Sequence, residues 1–477
     1  MRTRRLWNRI RINRRKAAGQ DACPTQHNCF ERMLESWWYR FMTSLRFPFA
    51  AWLVLLAPLS VGAFQVQDPS KLSSPNAAVK DAPTTYDFSK VHELLGGAVS
   101  SNKVAGISLL LIHRGKVVFQ EAFGQLDIES RVPFNTDSIV NLASSTKWIS
   151  ATAMMMLVDD GKISLDDPIS KYFSEFANLP VQGAVQGAVQ GAVQGAAGEK
   201  ANPTFRQCFS HSAGFVAQAP ELGFPELTLR ESAAQILKSQ PALLAKPGTE
   251  FRYGGVSYQM AGAVIERVSG MSFEEFLRKR IFTQLGMTDT TFNPYGDQLR
   301  RTGPVYSPQP DGSFHIVNLP PDGQNRNSRV AGGLYSTLSD YGHFLELQWR
   351  NGRFRNLQLL APESAVILRT DQTRGMRFVD SPGGTTHYGL GVWLNEMDGH
   401  GMGTSVSDGG AFGTYPWIDY HRELIGVLFT QTPLAQCKDL VEKVIPNAAR
   451  AAVDAGPPPP LRPEVERPAR RVPIPQP

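Results

Sequence analysis

The apolar positions of this chain follow one period at its two ends and another in its middle. Residues 105–124, AGISLLLIHRGKVVFQEAFG, carry two runs rich in Leu, Ile, Val and Phe on either side of Arg114-Gly115. That pattern predicts a β-hairpin. It returns near the other end, where HYGLGVWLNEM (387–397), GTYPWIDY (413–420) and ELIGVLFTQT (423–432) predict strands with tight connections. Pro416 lies inside one of them and predicts a bulge or an edge. From about 140 to 380 the pattern is mostly helical with loops, as in SYQMAGAVIERVSG, which Gly270 closes. Strands from both ends and helices from the middle predict an α+β fold. Its antiparallel sheet is built from N- and C-terminal strands flanked by helices, with a helical lobe beside it.

Charge divides the chain differently. Of the net +6, residues 1–63 carry +8 and residues 457–477 carry +2, so 64–456 carry −4. The basic excess sits in the ends, and the body offers no nucleic-acid surface. The Arg-rich start, RTRRLWNRIRINRRK, reads either as a basic arm for nucleic acid or anionic lipid or as a stretch translated upstream of the real start. The segment from Met42 onward favours the second. It has a short n-region with Arg46, an apolar run at about 47–59 and small residues ending in Val61-Gly62-Ala63. This is the pattern of a secretory signal cut after Ala63, and it implies an exported protein, periplasmic or extracellular. If the segment stays uncut, it anchors the chain to the membrane or cell envelope.

The organisation expected is therefore an extension and signal over 1–63, a polar linker over 64–85, a catalytic-size domain over 86–450 and a Pro-rich disordered tail over 451–477. A VQGA tetrad repeats four times at 181–196 and reads as a flexible loop. Cleavage at Ala63 leaves Cys208 and Cys437 of the four cysteines, and the sequence leaves their pairing open. No cysteine or histidine spacing suits a metal, and no motif calls for a cofactor.

The stretch ASSTKW (143–148) raises a chemical question. On a helix over 144–160, residues three apart share a face, so Ser144 and Lys147 are neighbours while Ser145 points away. The adjoining run ISATAMMMLV is apolar on nearly every side, which predicts a buried helix. A serine hydroxyl needs a base before it is nucleophilic, and a desolvated lysine can be that base. The helix N-terminus directs backbone N–H groups toward Ser144. The plainer reading makes Ser144 an N-cap.

Companion motifs decide between them. The segment around Ser144, together with TFRQCFSHSAGF (204–215), residues 246–292 and AGGLYSTLSDYGHFL (331–345), resembles the β-lactamase / penicillin-binding-protein family of serine hydrolases. The likeness is greatest to the branch holding class C β-lactamases, D-Ala-D-Ala carboxypeptidases and related esterases, and it spans about 85–450. The resemblance implies Ser144 as nucleophile, Lys147 as its base and Tyr253 as a proton relay, with the N–H groups of Ser144 and Ala411 as oxyanion donors. It also implies substrate contacts at Gly255 and at Asp408-Gly409-Gly410. Two positions depart from the pattern. Gly255 stands where the family has an Asn that contacts the substrate's amide side chain. Asp408 stands where the family has a cation that holds a substrate carboxylate, and an acid facing the substrate there would repel one unless it is protonated or turned toward a cation such as Lys147. His211 is read as scaffold, and His400 as a weak candidate for the border of the site.

Three functions fit these residues. The first is an acyl-enzyme hydrolase on Ser144 acting on a small-molecule ester. The second is a β-lactamase or D-Ala-D-Ala carboxypeptidase acting on amides, and the third is a non-catalytic binding or assembly protein on the same scaffold. The departures at Gly255 and Asp408 favour the ester.

Overall fold

In a computed structural model, the chain is described over residues 86–182, 199–321, 323–379 and 387–456, with the backbone of 470–471. The signal-like segment, the linker and the VQGA repeat from residue 183 onward lie outside these residues.

The sheet is eight-stranded and antiparallel, in the order β4-β5-β6-β7-β8-β1-β2-β3. Its strands are β1 (Gly106–His113), β2 (Lys116–Asp127), β3 (Val132–Pro133), β4 (His387–Tyr388), β5 (Trp393–Met397), β6 (Gly403–Ser407), β7 (Thr414–Asp419) and β8 (Leu424–Thr430). Strands from the two ends of the chain meet where β8 pairs with β1, Ile107 opposite Thr430 through His113 opposite Leu424. The β1–β2 hairpin turns at Arg114 and Gly115, both at positive φ (52° and 72°). That is the backbone of a two-residue turn whose twist matches its strands.

Period-two alternation gives the sheet two apolar faces. Ile107, Leu109, Leu111, Trp417 and Leu428 pack under two helices, α1 (Ser89–Ser100) and α5 (Ile445–Asp454). Leu110, Ile112, Ile418, Val427 and Phe429 face the larger core of the helical lobe. That core takes in α2 (Thr146–Asp159), α3 (Val256–Ser269) and α4 (Leu338–Trp349). Every residue of α2 from Thr146 to Leu157 is buried. The predicted α+β architecture is the one observed.

Two expectations need correction, and one point the sequence left open, the cysteines, is answered. Pro416 makes neither a bulge nor an edge. It lies in β7, opposite Val427 of β8, and beyond the last β6 partner, Ser407 opposite Trp417. Its carbonyl accepts the Asp408 N–H (3.2 Å). A ladder residue directs its N and its O to the same neighbour, so the missing N–H would have served the Asp408 carbonyl. That carbonyl is served by Ser145 Oγ at 2.6 Å. Cys208 and Cys437 are separate buried thiols. Helix α5 runs to Asp454, past the boundary at 450, and Arg470–Arg471 pairs in parallel with Leu357–Gln358. The rest of the tail lies outside the described residues. None of the described helices is long and apolar enough to cross a membrane.

Candidate active site

The nucleophile's segment is held before its chemistry begins. Ala143 has φ 45°, a left-handed conformation that costs a non-glycine residue energy and collects at functional sites. Its N–H is held by Asn141 Oδ1 (2.8 Å). Residues 143–145 form one 3-10 turn, and α2 starts at Thr146. Ser144 is therefore not a helix cap. It lies at the mouth of the helix, half-buried, where the strained turn presents it to the cleft.

The two serines part company as their spacing requires. Lys147 Nζ donates to Ser144 Oγ at 3.0 Å. Ser145 is fully buried and turned toward the sheet, bonded to the Asp408 carbonyl (2.6 Å) and Thr414 Oγ1 (2.9 Å). Its own carbonyl accepts from Tyr341 (2.6 Å). One serine faces the cleft, and the other fixes the helix start to the sheet.

Lys147 is 3% exposed. Its ammonium also donates to the Ala331 carbonyl (2.9 Å) and sits 4.6 Å above the Tyr253 ring centre. Burial lowers its pKa to about 8; the charge of Asp408 opposes this and that of Arg329 adds to it. The neutral amine is thus within reach near pH 8. Tyr253 moves the other way. Burial and then Asp408 push its phenol up, and the adjacent Ser144 hydroxyl pulls it back partway. It is a neutral donor across the working range. Its ring stacks on Trp393 at 5.3 Å, with His211 at 4.5 Å behind. His211 is 2% exposed, its Nδ1 accepts the Gly254 N–H (3.3 Å), and burial holds it neutral. It is scaffold.

Two cavities meet at Ser144, Tyr253 and Ala411. The larger, of about 670 Å³, is walled by Phe251, Phe378, Trp393 and Leu434, with Gly409 in its lining. Phe251 and Phe378 stack at 4.4 Å. The smaller, of about 190 Å³, holds Lys147, Gln218, Gly255, Gln259 and Arg329. Gly255 immediately precedes α3, and a Cβ there would come within 2.9 Å of Leu222. The Ala411 N–H has no acceptor among the described residues and lies in the turn beyond β6. An amide left open at the meeting point of both cavities is placed for an anionic oxygen.

The expected substrate contacts at Asp408 and Gly410 are not what the structure places there. Ser407 and Gly409 line the larger cavity, so strand alternation turns Asp408 inward. It is fully buried, and its Oδ2 accepts the Trp148 N–H at 3.2 Å. Its Oδ1 has no partner among the described residues. Burial drives its pKa well up, with Lys147 and the Trp148 N–H opposing. It favours the charged form of Lys147 and lines neither cavity. Gly410 is a packing glycine: a Cβ there would lie 2.1 Å from Thr414 Oγ1 and 2.2 Å from the Leu142 carbonyl. Only glycine lets this turn close against the nucleophile's segment. His400 is exposed in a turn and lines neither cavity. No cluster of potential metal ligands occurs among the described residues.

Fold and site together define a serine-hydrolase scaffold of the β-lactamase and penicillin-binding-protein type. The chain belongs to the beta-lactamase family, whose sequence profile, described as "Beta-lactamase", matches residues 90–441. Among curated proteins it is similar to the D-alanyl-D-alanine-carboxypeptidase/endopeptidase AmpH of Escherichia coli K12. That match is 25% identical over 343 residues, 71% of this chain and 83% of that protein. Among solved structures, the octameric penicillin-binding protein homologue from Pyrococcus abyssi superposes with a TM-score of 0.59 at 24% identity, covering 76% of this chain and 80% of that one. EstCE1, a hydrolase with promiscuous acyltransferase activity, gives 0.61 at 22%, covering 76% and 97%. At these identities the two structures speak to the fold.

Proposed function

We propose that this protein hydrolyses small esters through an acyl-enzyme on Ser144. The observation that carries the reading is the buried Lys147 amine, 3.0 Å from Ser144 Oγ, with a pKa lowered to about 8. Neutral Lys147 takes the hydroxyl proton as Ser144 Oγ bonds to the ester carbonyl carbon. The Ser144 and Ala411 N–H groups hold the oxyanion. The carbon–oxygen bond to the leaving group then breaks, and its oxygen takes a proton by way of Lys147 and Tyr253. Water repeats the sequence on the acyl-enzyme and releases the acid.

The ester preference rests on what the cleft lacks. Position 408 offers no cation: it is an aspartate, and its carboxyl is buried away from the cleft. Position 255 offers no side-chain amide to hold a peptide-like substrate. An alkoxide or phenoxide also leaves more readily than an amine. A second reading, amide hydrolysis of the D-alanyl-D-alanine kind, is supported by the similarity to AmpH.

The test is hydrolysis of a neutral short-chain aryl ester by the full chain beside Ser144→Ala. Turnover that falls by at least ~10³-fold in the variant is expected, in line with loss of a nucleophile. Equal rates in both proteins would sink the proposal.

A further inference from the structure

The smaller arm of the cleft contains a cation that the acyl chemistry does not use. Arg329 lines that arm with Ser144, Lys147, Gln218 and Gln259. It is exposed, and it pairs with no carboxylate among the described residues. Its charge is felt at Lys147, and no carboxylate is in the lining of the chamber the two cations share. A guanidinium stays charged at any working pH and presents a planar fork of donors matched to a carboxylate.

The backbone that presents Arg329 is fixed on both sides. Its carbonyl accepts the N–H groups of Gly332 (3.0 Å) and Gly333 (2.8 Å). The next residue, Val330, is fully buried, donates its N–H to Gln259 Oε1 on α3 (3.2 Å) and accepts from Ser150 of α2 (2.6 Å). Ala331 then accepts from Lys147. Helix α2, which carries Lys147, and helix α3, which starts just after Tyr253, thus hold the root of Arg329. Such a support favours binding by sparing the cost of ordering a loop.

Size assigns the two arms. The aromatic trough of about 670 Å³ suits a bulky or aryl leaving group. The chamber of about 190 Å³ holds roughly six waters' worth of liquid and so takes a short chain. We propose that Arg329 receives a carboxylate at the far end of a short acyl chain, so that the preferred substrates are half-esters of small dicarboxylic acids. The cation missing at position 408 is supplied instead from the smaller arm of the cleft. This rests on Ser144 being the acylated residue.

The experiment compares the 4-nitrophenyl half-ester of glutaric acid with 4-nitrophenyl butyrate, using the full chain and Arg329→Gln at pH 9. The readout is the ratio of kcat/KM values, in which any general damage to the protein cancels. The wild-type ratio should favour the half-ester by about tenfold or more. It should shrink as salt rises from 20 to 500 mM, on the order expected when an exposed charge contact is screened. Arg329→Gln should bring it to about unity or below, chiefly through KM, and Arg329→Lys should keep part of it. A wild-type ratio at or below one, or the same ratio in wild type and Arg329→Gln, overturns the proposal. If neither ester turns over, the esterase reading fails, and binding of glutarate itself decides the anion site. Affinity at least about tenfold weaker in Arg329→Gln then supports it, and equal affinity or none overturns it.

Discussion

Lys147→Ala should lower kcat on an aryl ester by about 10³-fold, the middle of the range for removing a general base. The wild-type pH profile gives this its signature. Lys147 works as the neutral amine, and its pKa is about 8 against 10.5 for an unperturbed lysine. Activity should therefore rise with pH, reach half its maximum near pH 8 and level off above it. In Lys147→Ala the residual activity should show no such limb. Lys147→Arg should not restore it, since a guanidinium keeps its proton. Stopped-assay kcat/KM values, which report the groups of the free enzyme, check both points across pH 6 to 10 (about two units either side of the expected midpoint). A limb that survives in Lys147→Ala would assign the base elsewhere.

Tyr253→Phe should cost about 10²-fold in kcat, the low end for losing a proton relay, and leave the limb where it was. The substitution keeps the ring that stacks on Trp393 and lies under Lys147. It removes only the hydroxyl, whose pKa burial and Asp408 push far above the working range. A group that does not titrate there cannot set the limb. A limb that vanished or moved by a full unit in Tyr253→Phe would instead make the phenolate the base.

Much of this geometry is legible in the chain. Period-two runs at both ends mark the strands, and the apolar middle marks the helices that cover one face. The i, i+3 spacing puts Lys147 beside Ser144 and turns Ser145 away, as the 3.0 Å contact and the Ser145–Asp408 bond bear out. The positions that mislead depend on non-local partners. Pro416 looks like an edge because its replacement donor, Ser145, is 271 residues away. Asp408 reads either as a substrate contact or as a group turned toward Lys147, and only the alternation between Ser407 and Gly409, which turns it inward, decides for the second. Gly410 reads as room for substrate and is closed by Thr414 and Leu142.

Other features leave no signal to find. The strain at Ala143 is carried by the backbone alone. The Ala331 contact to Lys147 goes through a carbonyl that any residue would supply. Arg329 is one arginine among many until the fold brings it 182 positions back to the base. The aromatic wall draws Phe251, Phe378 and Trp393 from separate stretches, so no single run of sequence announces it.

The central claim is that Ser144, and not its neighbour, carries the acyl group. The full chain, quenched in acid during turnover of an aryl ester and digested, would be mapped by tandem mass spectrometry. One acyl group is expected on the peptide spanning ASSTKW, with fragment ions placing it on Ser144 and none on Ser145, and no adduct in Ser144→Ala. An acyl group on any other residue of turning-over enzyme, or one that persists in Ser144→Ala, would contradict Ser144 as the nucleophile.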